Sequence, residues 1–173
     1  IAEAYYYINR IGEQGCEVST IVKNPVFKKF TSNNGNVSYN WDGQVKNNFY
    51  SIMHIEFKDT IADNKETKQA LAVKYLDWLK NKFRFTSIND YIVGYNYPQK
   101  DWQAWGVSAY FKDENNPGGI RYAHAKCWVS QNFATILILS RKDELFNEAD
   151  EQAFLDGFRH STLIANYPET PFH

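Results

Sequence analysis

His124 and Cys127 stand three apart in the stretch RYAHAKCWV, a spacing that invites comparison with a metal pair or a cysteine–histidine nucleophile. The stretch itself predicts a strand, and a regular strand sends residues i and i+3 to opposite faces. The two side chains therefore cannot share a metal without a bulge. Cys127 falls with Ala123, Ala125 and Val129, small residues that make room for a packed helix, whereas His124 falls with Tyr122, Lys126 and Trp128. A histidine and a lysine on one face predict partial exposure there, to solvent or to a ligand. His54 and His160 complete the imidazoles that a hydrolase with nearby carboxylates would draw on.

Other catalytic arrangements are missing from the sequence. No G-x-S-x-G elbow occurs, and no serine lies in a strained turn before a helix. Pro117-Gly118-Gly119 lacks the lysine and helix that follow a phosphate-cradling loop. Asp143, Glu144, Glu148, Asp150 and Glu151 crowd a helix start, where the macrodipole favours negative charge, and they lack calcium-loop spacing. Neither a metal site nor a cofactor is expected.

Aromatic residues make up 17% of the chain, more than a core of this size requires. The segment YNYPQKDWQAW sets Tyr95, Tyr97, Trp102 and Trp105 around a polar turn, where not all four can be buried. Exposed rings beside polar groups suit sugar stacking or a protein interface. Trp105 alternates with Val107 and Phe111 towards the core, which leaves Tyr97 and Trp102 as the exposed pair. That turn, with the Tyr122, His124 and Trp128 face, is the candidate ligand-binding region. Cys16 and Cys127 are left with two readings, a disulfide contributing about 4 to 5 kcal/mol or two separate buried thiols.

The elements that would position these residues follow from periodicity. The N-terminal IAEAYYYINRIGEQG carries Ile1, Tyr5, Ile8 and Ile11 at helical spacing, and a helix is preferred there over a strand. CEVSTIVKN predicts a strand that Asn24-Pro25 ends, and Asn33-Asn34-Gly35 a turn. NNFYSIMHIEFKD predicts a half-buried strand, with Met53, Ile55 and Phe57 on one face and Ile52, His54 and Glu56 on the other. A helix capped by Asp63 follows, lined by Ala72, Leu76, Leu79 and Phe83 and widened by Leu71, Tyr75 and Trp78, so Trp78 is expected in the core. Four strands come next, in DYIVGYNY, in WQAWGVSAYFKDE and at about residues 120–130 and 133–140, and a helix over residues 147–162 packs on the final strand. Gly157 lets that helix approach the sheet closely.

With 173 residues the chain suits one domain spanning residues 1–173, long enough to bury about 70% of its unfolded surface. No linker or repeat divides it. Nineteen basic and 20 acidic residues leave a net charge of −1 with no basic stripe, so nucleic acid is not an expected partner. No apolar run approaches the roughly 20 residues of a membrane span. The chain begins at Ile1 rather than methionine, which gives the expectation of a processed chain from a secreted, periplasmic or cell-envelope setting.

The words NKETKQALAVKYLDWLKNKF, YIVGYNY, WGVSAYFKDE, RYAHAKCWVSQNFATILIL and EADEQAFLDGFR, in that order, resemble the PsbP-like family of extrinsic photosystem subunits and bacterial lipoprotein or exported relatives. They cover about two thirds of the chain. The resemblance implies an α+β fold, a central antiparallel sheet flanked by helices as an α/β/α sandwich. It also implies a mostly non-catalytic binding or assembly role, with no catalytic motif to carry over. The expected function is thus a non-enzymatic exported or envelope-associated domain with a protein or glycan partner. The alternatives are a carbohydrate-binding module and a hydrolase built on a histidine and carboxylates.

Overall fold

The computed structural model describes residues 6–96, 104–142 and 148–160, giving the backbone alone at residues 95–96. In chain order the elements are β1 (Tyr7–Ile11), β2 (Cys16–Thr20), β3 (Lys28–Thr31), β4 (Val37–Val45), β5 (Asn48–Glu56), α1 (Lys65–Phe83), β6 (Thr86–Ser87), β7 (Ile92–Asn96), β8 (Trp105–Asp113), β9 (Arg121–Val129), β10 (Phe133–Arg141), α2 (Glu148–Leu155) and β11 (Arg159–His160). Eight strands form one antiparallel sheet in the order β3-β4-β5-β10-β9-β8-β6, with β7 also on β8. The others form a three-stranded sheet, β1-β2-β11.

This β-rich arrangement of two antiparallel sheets corrects the predicted α/β/α sandwich. The reason lies at the two ends of the described chain. The tyrosine-rich N-terminal segment, read as helix, becomes strand β1, because β2 follows after a Gly12–Gly15 turn and pairs with it from Ile11↔Cys16 to Tyr7↔Thr20. Aromatic and β-branched side chains favour such a pleated surface once a partner strand is present. At the other end α2 stops at Leu155, well short of residue 162, and Arg159–His160 returns to pair with β2. A sheet thus stands where the sandwich would need a second helical layer.

The eight-stranded sheet carries a core on each face. On one face Tyr50, Ile52, Phe133, Leu137, Leu139 and Trp128 meet Phe154, Leu155 and Phe158, together with Ile11, Cys16 and Val18 of the small sheet. On the other, Val107, Ala109, Phe111, Ala123, Ala125, Cys127 and Ile136 meet Ala72, Leu76 and Leu79 of α1. Each fully buried large apolar side chain contributes about 1.5 to 3 kcal/mol. Strand β5 is half-buried over most of its length, as the alternation predicts: Tyr50, Ile52, His54 and Glu56 face the first core, whereas Ser51 and Met53 on the other face are partly exposed and Ile55 alone of that face is buried.

The small alanines of β9 accept α1 as the sequence predicts, and the helix packs on β8 and β9. Its cap is Asn64 rather than Asp63: Asn64 Oδ1 accepts from Thr67 N at 2.7 Å, and Asp63 instead meets the ammonium of Lys68. Gly157 lies just past α2, and any side chain there would run into the Ala153 carbonyl and the Ser19 hydroxyl. The close approach expected of it is thus made to β2. Cys16 and Cys127 are both buried and free, one in each core on opposite faces of the large sheet.

Candidate functional site

The aromatic turn proposed from the sequence divides between described and undescribed residues. Tyr97 and Trp102 lie outside the described residues, and Tyr95 is placed only by its pairing with Gly106. Trp105 is half-buried on the α1 side of β8, with the Lys65 ammonium 4.6 Å above its ring. Tyr122 is half-buried on β9. The face it shares with His124 and Trp128 is not the partly exposed one expected, because α2 closes over it. His124 is 9% and Trp128 4% exposed. Trp128 Nε1 donates to the Leu155 carbonyl at 3.4 Å, and Lys126 pairs with Asp156. The Lys126 charge on β9 is answered by Asp156, just past the end of α2.

Two hydroxyl–imidazole–carboxylate chains cross this side of the sheet. In the first, His124 Nδ1 donates to Glu151 Oε1 at 2.7 Å, which leaves Nε2 to accept from the Ser108 hydroxyl at 2.9 Å. The ring stacks on Tyr110 at 3.9 Å, and burial holds its pKa below the usual histidine value. In the second, His54 Nε2 donates to Glu56 at 3.1 Å and Nδ1 accepts from Thr135 at 2.7 Å. Glu56 also accepts from the amides of Glu13 and Gln14, tying the β1–β2 turn to β5. Against the burial that opposes ionisation, these donors keep the Glu56 pKa below the usual carboxylate value. His160 stacks on Phe133 at 5.7 Å.

Ser108, His124 and Glu151 have the order of a serine nucleophile, its base and the group that orients the base. Their surroundings are closed. Ser108 is 2% exposed and lies mid-strand between Ile92 of β7 and Lys126 of β9. Paired to a neighbouring strand on each side, Ser108 sits within a ladder rather than in the kind of turn whose free amides hold an oxyanion. The chain of hydrogen bonds joins α2 to β9 and β8. Among the described residues no three His, Cys, Asp or Glu side chains converge where a metal could sit.

The accessible site is on the opposite face. Because α1 stands over β8 and β9, it leaves the same face of β10, β5, β4 and β3 as a groove of about 750 Å³. Such a volume lies within the range of ligand sites. The sheet register makes its surface graded. Ile136 sits beside Met53 and Met53 beside Asn40, while Ile138 sits beside Ser51 and Ser51 beside Asp42. An apolar floor on β10 and β5 thus becomes a polar row of Ser38, Asn40 and Asp42 on β4, continued by Ser32, Asn34 and Asn36 in the hairpin turn.

The facing wall is one stripe of α1, with Leu71, Lys74, Tyr75, Trp78, Lys82 and Phe83 at helical spacing. Trp78, expected in the core, is 43% exposed here, and Phe30 of β3 is 64% exposed at the other lip. Burial pushes the Tyr75 hydroxyl up to about 12, so it remains a neutral donor. No protein-family model matches the chain, and no curated protein matches it. The groove was legible in two signals that the sequence reading did not join. Ser38, Asn40 and Asp42 alternate with Tyr39 and Trp41, and the apolar stripe of α1 is wider than β8 and β9 alone can cover.

Proposed function

We propose that the chain is a non-enzymatic binding domain whose ligand lies in the groove between α1 and the β3–β4–β5–β10 half of the large sheet. One observation carries this reading: large rings and a row of amide and hydroxyl groups face each other across an apolar floor that α1 leaves open. Apolar lining with a few converging polar groups is the composition of a ligand site. The closed setting of Ser108 and His124 weighs against the hydrolase alternative, since a substrate would have to displace α2 to reach them. The order of α1 and the β8–β9–β10 meander, on which the resemblance to the PsbP-like family rests, agrees with a binding or assembly role. Among the described residues no helix is long and apolar enough to cross a membrane. With both thiols free, the fold makes no demand for an oxidising compartment, so an exported setting rests on the sequence expectation alone.

A thermal-shift screen of soluble metabolites and oligosaccharides tests the reading. A ligand at about 100 times its Kd stabilises by roughly 2.7 kcal/mol, which a melting curve resolves easily. Compounds that raise the melting temperature of the wild type are expected to leave Met53→Trp unshifted, because the larger ring fills the floor. Compounds that shift both proteins alike would place binding elsewhere.

A further inference from the structure

We infer that the occupant of the groove is an acidic saccharide, a chain of sugar rings bearing carboxylates. This rests on the groove being the binding site and adds the class of ligand that its walls select. Three features must be met together. Trp78, with Tyr75 and Phe83 on the same stripe, presents ring area that an aqueous ligand must cover with C–H faces. Across the floor Ser32, Asn34, Asn36, Ser38, Asn40 and Ser51 supply neutral groups. Amides and hydroxyls both donate and accept, which matches sugar hydroxyls, themselves donors and acceptors. Asn40 is held by its Nδ2, which donates to Ser38 Oγ at 3.1 Å, while its Oδ1 is buried and accepts from no described residue. An acyl chain would make no use of that row's remaining donors and acceptors and would leave Asn40 Oδ1 without a partner, and burying such a group unpaired costs about 1 to 3 kcal/mol.

Charge decides between a neutral and an acidic sugar. Lys74 and Lys82 both line the groove, and neither has a carboxylate partner among the described residues. Among the described residues the only carboxylate in the lining is Asp42, on the far side, where it accepts from the Ser51 hydroxyl. The Lys82 ammonium lies over the Trp78 ring, 4.8 Å from its centre, so positive charge is held on one face of that ring and the ring's other face is the one offered for stacking. Eight residues of helix set the two lysine backbones about 12 Å apart along the wall. That separation suits carboxylates repeated along an extended polymer, with the rings between them resting on Trp78.

Calorimetric titration at low salt with a short oligogalacturonate tests this, with a neutral cello-oligosaccharide, decanoate and an oligoglutamate peptide as the other arms. The expected result is binding of the oligogalacturonate that weakens as salt rises. Trp78→Ala should lose about tenfold or more in affinity, as removal of an aromatic hot spot does. Lys74→Ala/Lys82→Ala should lose a similar factor together with the salt dependence. Both variants change exposed residues, so unchanged melting curves will confirm their folding. Equal binding of the neutral oligosaccharide would overturn the acidic assignment. Binding of decanoate or oligoglutamate in place of the saccharide, blocked by Met53→Trp, would overturn the saccharide and keep the groove. Any probe whose binding survives Met53→Trp would remove the groove itself.

Discussion

At His124 the neighbours on three elements determine the state of one ring. Ser108 of β8 donates to it, Glu151 of α2 accepts from it, Tyr110 stacks on it, and Lys126 and Asp156 form the next ion pair along the same face. Burial holds the ring below its ordinary pKa, so the unfolded chain takes up a proton more readily than the folded one. The corresponding stability is complete above the ordinary histidine value of about 6.5 and is lost as pH falls through the depressed folded value. His160 is shifted the same way, so the comparison must be between proteins. Wild type is expected to lose denaturant stability between pH 7.5 and 5 more steeply than His124→Gln, and parallel curves would contradict the assignment. None of this was legible in RYAHAKCWV. The alternation correctly separated His124 from Cys127, but the groups that bury and satisfy His124 come from 16 residues before it and 27 after it.

The elements that could be read were those whose signal is local. Helix α1 and strands β8, β9 and β10 follow from periodicity and from the turn residues between them, and the structure returns them within a residue or two. Strand β1 could not be read this way, because Tyr5 to Ile8 fits either period and only its pairing with β2 decides. The two-residue β11 has no sequence signature, and its pairing with β2 ends what would otherwise read as a continuing helix. Gly157 shows how tightly this corner is drawn. A methyl group there meets the Ala153 carbonyl and Ser19 together, and backbone on one side cannot yield. Gly157→Ala should therefore destabilise by about 1 to 3 kcal/mol in urea unfolding, despite the better helix propensity of alanine. A stabilised variant would mean that α2 and β2 are not held this closely.

For the whole molecule, the decisive fact is an imbalance between the two faces of one sheet. The small sheet, α2 and their polar contacts close one face across β5, β10 and β9, whereas among the described residues the other face has a single helix, which covers β8 and β9. The uncovered half is the groove, and the side chains across it are amphiphilic rather than simply apolar. An expected sandwich with helices on both sides hides this feature, because it assigns Trp78 to the core. The most direct test is methyl-detected NMR of the folded chain against a library of small soluble fragments that includes uronic acids. Fragment hits are predicted to shift the methyl signals of Met53, Ile136, Ile138 and Leu71 while leaving those of Val18, Leu137 and Leu139 on the closed face in place. Shifts confined to the closed face, or spread evenly over both, would contradict a binding groove under α1.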